Sequence, residues 1–126
     1  MKRVALKEGD ARFSTAVPAK DADFEQFWHF YLRVHSKPLT RRLHFLAISI
    51  VFIGLAASIL LGDHGLTAIA CMIVAAIIAG ATHRLVEHTH PAVFANPLLA
   101  LLCGFLMYFL WLFGRLKIEL DKAGVD

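Results

Sequence analysis

The chain has 126 residues, of which 58% are hydrophobic and 18% charged, with a formal net charge of +3. That length suits one domain rather than two, and a soluble domain so small cannot bury three long stretches free of Asp, Glu, Lys and Arg. The positive charge gathers beside the first of these stretches, at Arg33, Lys37, Arg41 and Arg42, which leaves no soluble basic face and excludes a nucleic-acid role. An all-α integral membrane bundle is the fold class that remains.

In chain order, residues 1–20 mix Lys, Arg, Glu, Gly and Pro18 without periodicity and read as a mobile N-terminal tail. They hold no apolar run of the kind a cleaved signal peptide needs. From Asp23 the pattern changes. Phe24, Phe27, Trp28, Tyr31, Leu32 and His35 fall at helical spacing on one stripe, and Asp23 with Gln26 three residues on predicts a capping box. Two placements fit this amphipathic helix: in the membrane interface with its rings toward the acyl chains, or packed into a protein core. Pro38 ends it, Thr40 is the expected cap of the next helix, and the first span is expected to start near Arg41.

The three uncharged stretches, Leu43–Gly62, Gly65–Thr82 and Val93–Phe113, each reach the roughly 20 residues a helix needs to cross a hydrocarbon core. They show no strand-like alternation, and in lipid the helix satisfies its own backbone. About three spans are therefore expected, with four short helical pieces and a re-entrant hairpin at Gly104 as the rival. Gly62 to Gly65 predicts a tight external turn, and the basic flank of the first span marks its cytoplasmic end. The Ala and Gly residues of the second stretch, Ala70, Ala75, Ala76, Ala79, Gly80 and Ala81, predict close helix approach and a central place in the bundle. Cys71 and Cys103, both amid apolar neighbours, read as small hydrophobes.

Seven histidines is the main functional clue. Five of them, His29, His35, His44, His83 and His90, can gather at one membrane face, and ionisable groups in or beside spans mark sites. His83, Glu87 and His90, at i, i+4 and i+7, share one helix face, as a metal pair with a carboxylate or as a solvated helix end. His35 and His44 stand either side of the Pro38 corner and can point into one space, His44 either ligating or hydrogen-bonded within the core. Neutral imidazoles with carboxylate support suit iron or zinc. His64 sits in the opposite turn and His88 faces away from His83, so neither belongs to this group.

Phe24-x-x-Phe27-Trp28-x-x-Tyr31-Leu32-x-x-His35-Ser36, followed by Arg41-Arg42-Leu43-His44-Phe45, resembles the N-terminal signature of the Mpo-like family, membrane-bound 2-hydroxy fatty acid dioxygenases of fungi and their bacterial relatives. Thr82-His83-x-x-x-Glu87-x-x-His90-Pro91-Ala92-x-Phe94-x-x-Pro97-Leu98, Met107-Tyr108 and Gly114-Arg115-Leu116 resemble its second half, so the likeness covers residues 22–118. The resemblance implies a membrane domain over 21–118 with a C-terminal tail over 119–126, and an Fe(II) enzyme that uses O2 to shorten a 2-hydroxy fatty acid by one carbon. It also implies His35, His44 and His83 as metal ligands, with Glu87 as a further ligand or as the carboxylate that fixes a histidine tautomer. Glu87 and His90 are the candidate catalytic residues, and Arg42 and Arg84 the candidates for the substrate carboxylate. The expected partners are the bilayer and the acyl substrate, a homo-oligomer being left open, in a bacterial inner membrane or, in a eukaryote, the endoplasmic reticulum. A haem-binding or non-catalytic protein that keeps the fold is the alternative.

Overall fold

The computed structural model describes residues 18, 19, 21–88 and 95–125, all of whose regular structure is helical, with no strand among them. Helix α1 spans Phe24–Val34 and starts on the expected capping box, in which Asp23 Oδ1 accepts from the Gln26 N–H at 2.8 Å while Gln26 Oε1 accepts from the Asp23 N–H at 3.1 Å. Helix α2 spans Pro38–Leu61, with Pro38 in its first turn. A proline there gives up an N–H that has no partner in any case and arrives with a helical φ. The helix therefore begins before Thr40, which is not its cap but a fully buried residue of its first turn.

Gly62, in the left-handed region at φ 64°, closes α2, and Gly65 at φ 90° opens α3, Leu66–Thr82. Between them Asp63 accepts from the hydroxyls of Ser58 and Thr67 and from the Thr67 N–H. One carboxylate thus ties the end of α2 to the start of α3, and these bonds hold it below the usual carboxylate range, Ser58 foremost. The expected tight turn is therefore present. Helix α3 continues as a π-helical turn, His83–Glu87, which ends at His88 in the left-handed region. Helix α4, Pro97–Leu112, is capped by the Asn96 side chain on the Leu99 N–H, and α5, Leu116–Lys122, completes the described chain.

Among the described residues, two helices are long and apolar enough to cross a membrane: Pro38–Leu61 and the continuous Leu66–Glu87, of 24 and 22 residues. At about 1.5 Å per residue they reach roughly 36 and 33 Å. Only 28% and 22% of their apolar windows are buried, far less than a soluble core helix would show. Ile53, Ile59, Leu60, Ile69, Ile73 and Ile77 are left exposed on their outer sides, a surface suited to acyl chains. The third stretch falls short of its expected bounds, since the 16 residues of α4 reach only about 24 Å. Helix α4 nevertheless runs unbroken through Gly104, which removes the re-entrant hairpin.

Packing decides between the two placements of α1 and corrects two further expectations. The ring-bearing face of α1 is covered by protein: Phe27, Trp28, Tyr31 and Leu32, together with Phe30 and Val34, are buried in one cluster with Ala100, Cys103 and Met107 of α4. Phe24 alone of the stripe stays exposed. Residues 119–125 are no tail, because Leu120, Ala123 and Val125 close the same cluster, while Glu119 accepts from Trp28 Nε1 at 3.0 Å and the Ala123 carbonyl from Arg33 Nε at 3.2 Å. The central helix is α2, which meets α3, α4 and the π turn. Helix α3 packs along α2 and leaves Ala70, Ala76 and Ala81 exposed. The expected tail over 1–20 lies, save for Pro18 and Ala19, outside the described residues.

Candidate metal centre

The α2–α3 hairpin and the cluster of α1, α4 and α5 meet at the corner between α1 and α2. Pro38 disfavours a helical residue before it, so α1 stops and the chain turns at His35, Ser36 and Lys37. The turn swings His35 toward His44, one and a half turns into α2. The π turn at the end of the antiparallel helix brings His83 to the same point. All three imidazoles are buried, at 1%, 7% and 2% exposure.

Their rings form a triangle with centroids 4.4, 4.5 and 5.0 Å apart and planes nearly perpendicular. One ligating atom from each lies within 4.8 Å of the others. Imidazole nitrogens on one ion at about 2.1 Å stand roughly 3 to 4 Å apart, so the set is at ligating separation or within a small side-chain adjustment of it.

Proton placement follows from the partners. A backbone carbonyl only accepts, so His35 Nδ1, 2.6 Å from the Tyr31 carbonyl oxygen, and His44 Nδ1, 2.9 Å from that of Thr40, both carry hydrogen. In the neutral rings each Nε2 is then a lone pair. His83 Nε2 lies 3.0 Å from His35 Nε2, and because the His35 atom accepts, the proton between them belongs to His83. Burial first, then the neighbouring His44 and His83, holds the His35 pKa well below the ordinary 6.5, so this ring is neutral at neutral pH. The unprotonated Nε2 atoms of His35 and His44, joined by His83 Nε2 once its shared proton is displaced, form a donor set for a divalent transition metal.

Four residues that the sequence reading had not placed at the site support the triangle. Tyr31 stacks on His35 with centroids 4.1 Å apart and planes 24° apart, and its burial raises the phenol above its ordinary range, keeping it protonated. Arg41 is buried, and its Nη1 donates to the carbonyls of His35 at 2.9 Å and Ser36 at 2.7 Å. Ser36 and Thr40 donate their hydroxyls to Glu87. Spacing could have flagged Tyr31 and Thr40, each four residues before a histidine and so directly beneath its ring.

Glu87 is bound to the corner between α1 and α2. Oε1 accepts from the Lys37 N–H at 2.6 Å and the Thr40 hydroxyl at 2.7 Å, and Oε2 from the Ser36 hydroxyl at 3.1 Å. The tautomers of His35 and His44 are fixed by carbonyls of their own helices. The helix that carries His83 and Glu87 ends at His88, and His90 lies outside the described residues. Arg42 and Arg84 lie beside His44 and His83 in sequence with exposed side chains, His29 is half-buried, and His64 and His88 are exposed.

The family described as 2-hydroxy-palmitic acid dioxygenase Mpo1-like matches residues 22–116. No curated protein and no solved structure matches the chain.

Proposed function

Because the chain belongs to the Mpo1-like family, we propose that it is an Fe(II)-dependent dioxygenase of 2-hydroxy fatty acids, removing one carbon from the carboxyl end of an acyl chain drawn from the bilayer. The observation that carries this reading is the triangle of buried imidazoles with one ligating atom from each within 4.8 Å of the others, two of the rings anchored to backbone through Nδ1–H. His35, His44 and His83 would hold the metal, which supplies a redox-active Lewis acid with open positions, the requirement of O2 chemistry on a closed-shell substrate. Burial by Tyr31, Thr40 and the aromatic core keeps bulk water from the three rings. The exposed cations Arg42 and Arg84, close in sequence to His44 and His83, would attract a substrate carboxylate to the membrane surface. Two apolar spans that end at this level would let the acyl tail remain in lipid. A bacterial inner membrane is the setting we assign.

A haem reading fits less well. Two axial histidines face one another across a macrocycle, whereas here His35 and His83 are in direct hydrogen-bond contact with His44 beside them. The test is metal analysis of protein purified anaerobically in detergent, with its visible spectrum and oxygen uptake on 2-hydroxypalmitate. Near-stoichiometric iron, no Soret band and substrate-dependent oxygen consumption are expected. Replacing His35, His44 or His83 singly with Ala is expected to abolish tight metal binding while helicity is retained. Protein that stays metal-free and inactive after Fe(II) addition would overturn the proposal.

A further inference from the structure

The three imidazoles come from separate places in the chain: the end of α1, the second turn of α2 and the π turn. His35 and His44 are fixed to one another by the short corner between them. His83 belongs to another helix, and its place relative to the other two depends on what joins the π turn to that corner. One carboxylate makes three bonds of that joint. Glu87, one turn beyond His83, takes the Lys37 N–H and the Thr40 hydroxyl on one oxygen and the Ser36 hydroxyl on the other. Lys37 Nζ adds a bond to the Val86 carbonyl at 2.5 Å. The α2 N-terminus presents N–H groups with no partner in their own helix, and the side chain of its N-cap residue Lys37, a donor, makes no cap hydrogen bond to them. Glu87 therefore caps, from 50 residues away, the helix that carries His44.

We propose that Glu87 is the positioning residue of the metal centre: by capping α2 from the π turn, it holds His83 in register with His35 and His44 before any metal arrives. The inference rests on the three-histidine reading of the site. It asks of Glu87 only its hydrogen bonds, not its charge and not ligation. A carboxamide can meet all three partners, since its oxygen accepts from Lys37 and Thr40 and its NH2 can donate to the Ser36 hydroxyl. Glu87→Gln should therefore preserve the site and Glu87→Ala should loosen it.

The experiment titrates detergent-solubilised wild type, Glu87→Gln, Glu87→Ala and the double variant Ser36→Ala/Thr40→Val with Co(II) alone, reading affinity and the ligand-field spectrum. On metal-free protein, deuterium exchange is followed over the first turn of α2. Glu87→Ala is expected to weaken Co(II) binding about 10- to 100-fold, the usual effect of losing a group that orients ligands. Exchange at the Lys37 amide should quicken with it. Glu87→Gln should keep the wild-type spectrum and wild-type exchange. The double variant, which leaves the carboxylate in place, should repeat the loss even if Glu87→Ala does not fold. Gln as damaging as Ala would overturn the proposal by making charge or ligation the role of Glu87, and so would wild-type affinity in both Glu87→Ala and the double variant. If wild type itself takes up no Co(II), the metal reading falls. The exchange data then still decide the positioning role, supported by loss in Ala and retention in Gln and overturned by equal exchange in all.

Discussion

Each of two site histidines uses one ring nitrogen on a carbonyl four residues back, which removes the tautomer freedom of a free imidazole. The arrangement predicts how protons move when a diamagnetic ion such as Zn(II) is added. Nitrogen NMR should find His35 and His44 as Nδ1–H tautomers with and without metal. His83 should change from Nε2–H to Nδ1–H as the ion takes the place of its shared proton, and an Nε2–H signal from His35 would contradict the assignment. Acid should matter as well. The folded-state pKa of His35 lies well below 6.5, so the unfolded chain binds a proton that the native one refuses as pH falls below that value. Metal-free protein should lose stability from about pH 6.5 downward, by up to about 1.4 kcal/mol per pH unit for this group, readable as a falling Tm. A flat profile between pH 7.5 and 5 would rule out a neutral buried His35.

Between elements, α2 and α3 approach closely at Gly54, where a Cβ would stand 2.4 Å from Cys71 Cβ and 2.7 Å from its Sγ. Gly54→Ala should force α2 and α3 apart at a cost of about 1–3 kcal/mol. Cys71→Gly should restore much of the loss and Cys71→Ala little, because the first clash is with Cβ. Thermal unfolding of Gly54→Ala alone and combined with each Cys71 change, beside wild type, checks this, and equal rescue by both would contradict it. Features held within a few residues were legible in the sequence: the Asp23–Gln26 box, the Pro38 corner, the Gly62–Gly65 turn, and the apolar runs that become α2 and α3. What covers the rings of Phe27, Trp28 and Tyr31 was not, since an amphipathic stripe states that a face needs cover without naming lipid or α4. Five histidines could be singled out as side chains costly to leave alone near a bilayer, and the family resemblance picked His35, His44 and His83 from among them. Glu87 could not be assigned its partners, which stand 47 to 51 residues away and are selected by a π turn that no periodicity announces.

For the molecule as a whole, α5 and the residues after it close the core around α1. Trp28 binds Glu119, and its indole N–H, with help from Lys122, holds that carboxyl below the usual range. Arg33 binds the Ala123 carbonyl, and Leu120, Ala123 and Val125 fill the cluster behind them. A chain stopped after Gly114 should therefore uncover the rings of α1 and free His35 to wander. The expected result is a lowered Tm and weakened Co(II) binding together, although the deletion removes none of the three histidines. Unchanged binding would show that α1 is held by α2 and α4 alone.

His35, His44 and His83 come together only when the α2–α3 hairpin and the α1, α4 and α5 cluster have both formed and docked, so an ion able to bind all three recognises the finished protein and no earlier state of the chain. Such an ion at about 100 times its dissociation constant would add roughly 2.7 kcal/mol to the native state. In a cell, the supply of metal would then govern how many copies escape proteolysis as well as how many are active, and starvation for the ion should appear first as scarcity of the protein.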